Sequence, residues 1–202
     1  ANELLGRPLD QRDLLLSAME GERAASGTPH ADNVAPSVLG GVVLVRSYDP
    51  FEVLSLPVPL ELRVVVVHPH CKVSTAEART LVKNRGYSLD HIVPNLGNIA
   101  ALVLALCRSD LALLGRSIDD QLIEPLRATL IPGFSAVKDA ALSAGALGCS
   151  IAGSGPSIFA FASDDDTAAR IGAAMQSAFK SAAKLDSDLY SGEVNPIGAR
   201  AI

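Results

Sequence analysis

Four polar side chains that could do chemistry fall within twelve positions: Glu22, His30, Asp32 and Asn33. They lead directly into an apolar stretch from Val34 to Val45. Buried polar atoms cost free energy unless paired, so a dense polar group at the edge of a core invites a ligand. Glu22 could hold Mg²⁺, and Asn33 or Asp32 could bond a substrate hydroxyl. A plainer reading has equal standing at this point, with Glu22 on a solvated helix face and Asp32 as a helix cap.

Three further places carry charge or backbone freedom. Thr75 and Arg79 stand four apart, hence on one helical face. Arg127 follows Glu124 by three positions in Glu124-Pro125-Leu126-Arg127. Two arginines suit a carboxylate substrate, since each offers a planar fork, although a surface acid such as Glu124 is the commoner partner. In Gly153-Ser154-Gly155-Pro156-Ser157 the glycines free the backbone to turn tightly and to aim N–H groups at an anion. This loop is not GxGxxG, because Ile158 takes the third glycine's place, nor a Walker loop, nor a G-x-S-x-G elbow. Taken alone it reads as a strand-to-strand turn. His68-Pro69-His70-Cys71 lacks a further ligand at metal spacing and reads as a strand end. His91 and Asn98 receive a supporting part only.

The chain that must position these groups has 202 residues, 49% hydrophobic and 19% charged, enough for one large domain or two small ones. Its net charge of −5, scattered Lys and Arg, five Phe and three Tyr argue against nucleic acid as a partner. No uninterrupted apolar run reaches the roughly 18 residues of a spanning helix, so no membrane partner is expected. Three distant cysteines, Cys71, Cys107 and Cys149, point to a reducing compartment, with Cys107 and Cys149 as small core residues. The start, ANELLGRPL, reads as the second half of a helix ending near Gly6 and Pro8, with no signal pattern before it, so the chain is expected to be cut at its N-terminus.

Apolar periodicity predicts helices over 11–25 and 33–39, the latter capped by Asp32. A capping box, Ser74 to Glu77, opens a helix reaching about residue 84. Further helices are expected over 90–107, with its apolar part 99–107 buried, over 110–126 and 136–144, and over 166–184 behind a Ser163 cap. Strands are expected over 42–47, 52–56, 149–152, 158–162 and 189–202, the last with a turn at Pro196, and 62–67 as a strand buried on both faces. Pro57-Val58-Pro59 marks the domain boundary. Helices and strands mixed in this way suggest α+β layers.

Taken together, HADNVAPSVLGG at 30–41, STAEAR at 74–79, EPLRATLIPG at 124–133 and GALGCSIAGSGPSIFA at 145–160 resemble the homoserine kinases. These form a family within the galacto-, homoserine, mevalonate and phosphomevalonate (GHMP) kinase superfamily. The resemblance runs in order over nearly the whole chain. Its first and third stretches are specific to homoserine kinases, and the glycine loop is shared with the wider superfamily. It implies a GHMP kinase-like α+β fold, with residues 1–60 the remainder of an N-terminal, ATP-binding domain and residues 61–202 a ferredoxin-like C-terminal domain. It implies ATP-dependent, Mg²⁺-assisted phosphorylation of the L-homoserine hydroxyl, a step towards threonine, in the cytoplasm or, for a plant source, the plastid. L-homoserine is the implied small-molecule partner, and a homodimer stays open.

Position by position, the resemblance implies Glu22 as the Mg²⁺ ligand and Asn33 as the contact to the acceptor hydroxyl. It places His30 near the substrate's amino end, with Asp32 in the same substrate-binding stretch. Arg79 and Arg127 resemble the pair gripping the α-carboxylate, and Thr75 a hydroxyl near the transferring phosphate. Gly153, Ser154, Gly155 and Ser157 resemble the loop beside acceptor and phosphates. Some relatives carry an aspartate base where this chain has Asn33. An amide cannot take the proton that way, so positioning and charge stabilisation are implied instead. The family's glycine- and serine-rich phosphate loop is expected ahead of Ala1, and these 202 residues alone are therefore expected to bind ATP poorly and to turn over little. Two alternatives stand beside this reading: a GHMP kinase for another small alcohol, and a non-catalytic α+β binding or oligomerisation module.

Overall fold

The computed structural model describes residues 2–83 and 86–200, with the backbone alone at 25, 26, 75 and 76. The chain divides into two compact units, Ala1–Val58 with Val194–Ile202, and Pro59–Glu193.

In the first unit, α1 (Gln11–Ser26) starts where the Asp10 carboxylate accepts from Asp13 N at 2.8 Å, and it ends on the left-handed Gly27. The stretch before it is a pair of turns, Leu5 N to Asn2 O and Gly6 N to Glu3 O, instead of the expected helix end. The left-handed Gly6 and Pro8 stop propagation before a helix can repeat. Ala1 lies outside the described residues. The second helix, α2 (Ala31–Leu39), packs along α1 and buries Ala31 and Ala35. It begins two residues earlier than expected. His30 holds the cap position without a side-chain bond, and Asp32 lies inside the first turn, bonded to Asn33 N at 3.2 Å. Asp32 thus favours the positive end of the helix without capping it.

An antiparallel hairpin follows, β1 (Val42–Tyr48) against β2 (Phe51–Leu56), with Val42 opposite Leu56. Tyr48 Oη accepts from Ala31 N at 3.2 Å and ties the hairpin to the start of α2. The final segment, expected as strand, is strand only to Glu193. From Val194 it packs with the first unit, where Asn195 O accepts from Gly41 N and Ser37 O accepts from Ala199 N, each at 2.8 Å. Gly198 is required there: a Cβ would lie 1.9 Å from Val38 O.

The second unit is built on a four-stranded antiparallel sheet of β3 (Arg63–Pro69), β4 (Gly148–Ile151), β5 (Ile158–Ala162) and β6 (Ser187–Glu193). Its order, β4-β5-β3-β6, is that of the split β-α-β arrangement. α8 (Asp165–Ala178) packs on β3, β5 and β6, and α7 (Phe134–Ser143) packs on α8 and β4. Val65, Val67, Ile158, Ala160, Ile171, Met175 and Phe179 fill the layer between. Full burial of each large side chain contributes roughly 1.5–3 kcal/mol.

β3 is not buried on both faces. Val65, Val67 and Pro69 are buried, while Val64, Val66 and His68 are half-buried on the opposite side. A run of β-branched residues specifies extended backbone, but an antiparallel sheet covered by helices on one face leaves the other partly open. The last helix is capped by Asp164, whose carboxylate accepts from Thr167 N at 2.7 Å. Ser163, the expected cap, instead donates to Asp164 Oδ2. The α-helix stops at Ala178 and a π-helical turn, Phe179–Ala183, completes it.

Among the described residues four α-helices lie between β3 and α7. The capping box holds, with Ser74 Oγ accepting from Glu77 N at 3.3 Å at the head of α3 (Thr75–Lys83). Residue 84, the expected end, lies outside the described residues. α4 (Leu89–Arg108) is mostly exposed, and of its residues Ala105 and Leu106 are buried. Cys107 is exposed, contrary to its expected place in the core, whereas Cys149 is fully buried. The predicted helix over 110–126 is two, α5 (Leu111–Ser117) and α6 (Glu124–Arg127). Pro125 lacks the N–H that a continuous helix needs and fits the first turn of a new one.

Candidate functional site

Arg127 is positioned by α6, and α6 is set by the loop before it. The Asp120 carboxylate accepts from Leu122 N, Ile123 N and Glu124 N at 2.9–3.0 Å and from Asn95 Nδ2 at 3.0 Å. Asn98 Nδ2 donates to Asp119 O at 2.8 Å, so two polar side chains of α4 secure the same loop. Burial alone would push the Asp120 carboxyl upward, but the N–H groups of Ile123 and Leu122, the Asn95 amide and Glu124 N outweigh it and hold it below its ordinary value.

Thus fixed, Arg127 donates from Nη1 to Gly153 O at 2.6 Å, and its Nε is buried with no hydrogen-bond partner among the described residues. A guanidinium left incompletely satisfied next to a turn is a ready anion contact. The turn itself depends on two left-handed glycines, Gly153 at φ +58° and Gly155 at φ +82°. A Cβ on Gly155 would also lie 2.8 Å from Ile131 Cδ1. Gly155 N closes the turn onto Ala152 O at 3.0 Å, and Ser157 O accepts from Ala152 N at 2.9 Å. Ser157 Oγ lies 2.8 Å from His68 Nδ1, so the strand-end histidine set aside in the sequence braces the loop.

Arg79 sits half-buried on α3, which packs against α6. Arg79, Arg127 and the 153–157 loop therefore belong to neighbouring elements of the second unit. Thr75 starts α3, and its side chain lies outside the described residues. In the first unit, Glu22 is half-buried on α1, His30 is half-buried ahead of α2, and Asp32 and Asn33 are exposed in its first turn.

Glu124 is the group sequence reasoning missed. It is buried and does not pair with Arg127, three residues on. It forms an ion pair with Lys138 of α7 and accepts from Ser150 Oγ of β4 at 2.6 Å. This links α6, α7 and β4, with partners fourteen and twenty-six positions away, where no local pattern reaches. Burial pushes the neighbouring Cys149 thiol up to about 12, with Lys138 opposing and Glu124 adding to it. A cavity of about 470 Å³ opens beside this trio, lined by Thr129, Phe134 and Asp139 among others. Neither Arg79 nor Arg127 lines it.

Among the described residues no three His, Cys, Asp or Glu side chains gather as a metal cage. Mg²⁺ in nucleotide sites is commonly held by one or two carboxylates plus phosphate oxygens, so such an ion would not need a cage of that kind.

Residues 102–181 match the family described as GHMP kinases C terminal. Homoserine kinase of Chlorobium phaeobacteroides (strain BS1) is 52% identical over 203 residues, covering 100% of this chain and 63% of that protein. The crystal structure of homoserine kinase from Cytophaga hutchinsonii superposes with a TM-score of 0.94 at 50% identity, covering 98% of this chain and 62% of the other. Mevalonate kinase of L. major, at 21% identity and a TM-score of 0.76, covers 98% and 62% in the same sense and shares the fold. The chain's similarity is to GHMP kinases, whose C-terminal region residues 102–181 match. Within them its similarity is to homoserine kinases, and it spans about 63% of the length of the curated relatives it matches.

Proposed function

We propose that the protein of which this chain is a part phosphorylates the side-chain hydroxyl of L-homoserine with ATP. The observation that carries the reading is the Arg127 guanidinium, bonded to the Gly153 carbonyl and unsatisfied at its buried Nε, in a chain about half identical to homoserine kinases throughout. In this reaction the homoserine oxygen forms a bond to the γ-phosphorus, the bond from that phosphorus to the β–γ bridging oxygen breaks, and ADP leaves. The hydroxyl proton passes to solvent or phosphate.

Within the second unit, Arg79 and Arg127 grip the α-carboxylate, which distinguishes an amino acid from a plain alcohol. Thr75 and the loop of Gly153, Ser154, Gly155 and Ser157 offer hydroxyl and N–H donors to the acceptor and phosphates. Within the first unit, Asn33 orients the acceptor hydroxyl, His30 and Asp32 attend the amino end, and Glu22 would hold Mg²⁺. The ion supplies charge neutralisation on the phosphate oxygens when bound. Asn33 positions and does not deprotonate, so the rate rests on alignment and electrostatics. Three free cysteines suit a reducing, cytoplasmic setting.

Thermal melting of this chain with L-homoserine, L-serine and R-mevalonate tests the substrate class. A ligand at about 100 times its Kd stabilises the native state by about 2.7 kcal/mol, several degrees of midpoint. L-homoserine is expected to raise the midpoint more than the other two. Equal shifts, or none with homoserine at millimolar concentration, would overturn the assignment.

A further inference from the structure

The glycine loop is held at both of its ends by side chains from other elements. At Gly153 the carbonyl accepts from Arg127 Nη1 of α6, and at Ser157 the hydroxyl oxygen lies 2.8 Å from Nδ1 of His68, on the half-buried face of β3. That second contact spans 89 positions of the chain and is itself partly buried. Between its ends the loop is short of N–H donors. Gly155 N is spent on Ala152 O at 3.0 Å, and Pro156 has no N–H. An oxyanion seated here must therefore lean on the hydroxyls of Ser154 and Ser157. Of the two, Ser157 is the one with a side-chain partner among the described residues.

What this contact does depends on its direction. A serine hydroxyl has one hydrogen to give and two lone pairs. With the imidazole proton on Nε2, Nδ1 accepts the Ser157 hydrogen, and only lone pairs are left to face a ligand. With the proton on Nδ1, the ring donates to Ser157 Oγ and the hydroxyl hydrogen is released towards a ligand oxygen. The ring is not pinned from its other side. Asp188, opposite His68 in the β3–β6 register, lies 3.1 Å from Nε2 of His70, and no hydrogen bond to His68 Nε2 occurs among the described residues. The tautomer is thus set by what Ser157 bonds. Resting on the homoserine kinase reading, we propose that His68 is a positioning residue: donating from Nδ1, it turns the Ser157 hydroxyl hydrogen towards the phosphoryl group being transferred. The pair then favours a phosphorylated ligand over the bare alcohol.

Calorimetric titration of this chain with L-homoserine and O-phospho-L-homoserine tests it. A hydrogen bond to a charged group contributes about 10- to 100-fold in affinity, and Ser157→Ala should lose about that for the phosphorylated ligand. His68→Phe, which keeps a ring and lacks Nδ1, should weaken O-phospho-L-homoserine at least about 5-fold more than L-homoserine. His68→Asn, whose amide nitrogen can stand where Nδ1 stood, should recover most of that loss. Adding His68→Phe to Ser157→Ala should cost nothing further, since the histidine acts through the hydroxyl. In wild type bound to the phosphorylated ligand, nitrogen-15 spectra should show the proton on His68 Nδ1, a readout that needs no variant to fold. Equal losses of both ligands in His68→Phe, no recovery in His68→Asn, or an unprotonated Nδ1 in that complex would each overturn the proposal and leave the substrate reading standing. So would a wild type that binds L-homoserine alone. A wild type that binds neither ligand would overturn both.

Discussion

Arg127 Nη1 donates to the carbonyl of Gly153 at 2.6 Å, and this bond joins α6 to the glycine turn twenty-six residues later in the chain. The guanidinium is thereby aimed and its turn is held by the same contact. Lysine cannot reproduce that, since it offers a point charge without a fork. Arg127→Lys is expected to weaken L-homoserine binding roughly 10- to 100-fold, the range of one charge-assisted hydrogen bond of about 1.5–3 kcal/mol. Homoserinol, which keeps the hydroxyl and lacks the carboxylate, should bind wild type and variant alike. Calorimetric titration of both ligands checks this, and an equal loss for homoserinol would mean that Arg127 supports the loop without touching the carboxylate.

Glu124, Lys138 and Ser150 make a stability prediction independent of the substrate. Removing one member of a buried ion pair leaves the other charge without its partner, at a cost of about 3–5 kcal/mol. Glu124→Ala should therefore lower the denaturant midpoint strongly. The double change Glu124→Ala with Lys138→Met should recover much of the loss, because no buried charge is then stranded. Urea unfolding of the two singles and the double reads the coupling directly. Additive losses would show that the pair does not act as a unit.

Much of this architecture was legible beforehand, and the failures share a cause. The strands over 42–47 and 52–56, the Ser74–Glu77 capping box and the glycine turn are local signals, and each appears where the residues put it. The extended run at β3 was legible as a strand, but whether one face or two would be covered depends on helices a hundred residues away. The same limit made α4 look buried, because apolar composition does not say whether the neighbour belongs to the same unit. Asp120 and Pro125 did carry a readable break between α5 and α6, overlooked because the apolar period runs through it. In the site, Arg127 and the loop could be named from residue type and resemblance. Glu124 with Lys138 and His68 with Ser157 could not, since only the folded sheet brings them together.

Acid should release the α4–α6 loop before the core. The Asp120 carboxyl is held below its ordinary value of about 3.9, so its ionised form contributes stability that is fully present above that pH. The contribution is lost as pH falls through the depressed native value. At neutral pH Asp120→Asn should be less stable than wild type, because an amide offers one acceptor where the carboxylate serves four donors. The difference should shrink as pH falls below the ordinary carboxylate value, as wild type protonates. Urea midpoints of both proteins at pH 7 and pH 3 measure it. A difference that is constant with pH would mean that the loop gains nothing from the charge.

Gly198 offers a test confined to the first unit. A Cβ there would sit 1.9 Å from Val38 O and 2.8 Å from Leu39 N, both backbone atoms that cannot rotate aside. Gly198→Ala must therefore push the returning segment off α2, breaking the bonds from Ala199 N to Ser37 O and from Gly41 N to Asn195 O. Overpacking of this kind costs about 1–3 kcal/mol. Hydrogen exchange should quicken at Ala199 and Gly41 while β3 and β5 keep their protection. Gly192→Ala, which meets no atom within 4 Å, is the matched control and should leave both patterns unchanged. If β3 and β5 lost protection together with Ala199, the two units would unfold as one and the division at residue 58 would not be a thermodynamic one.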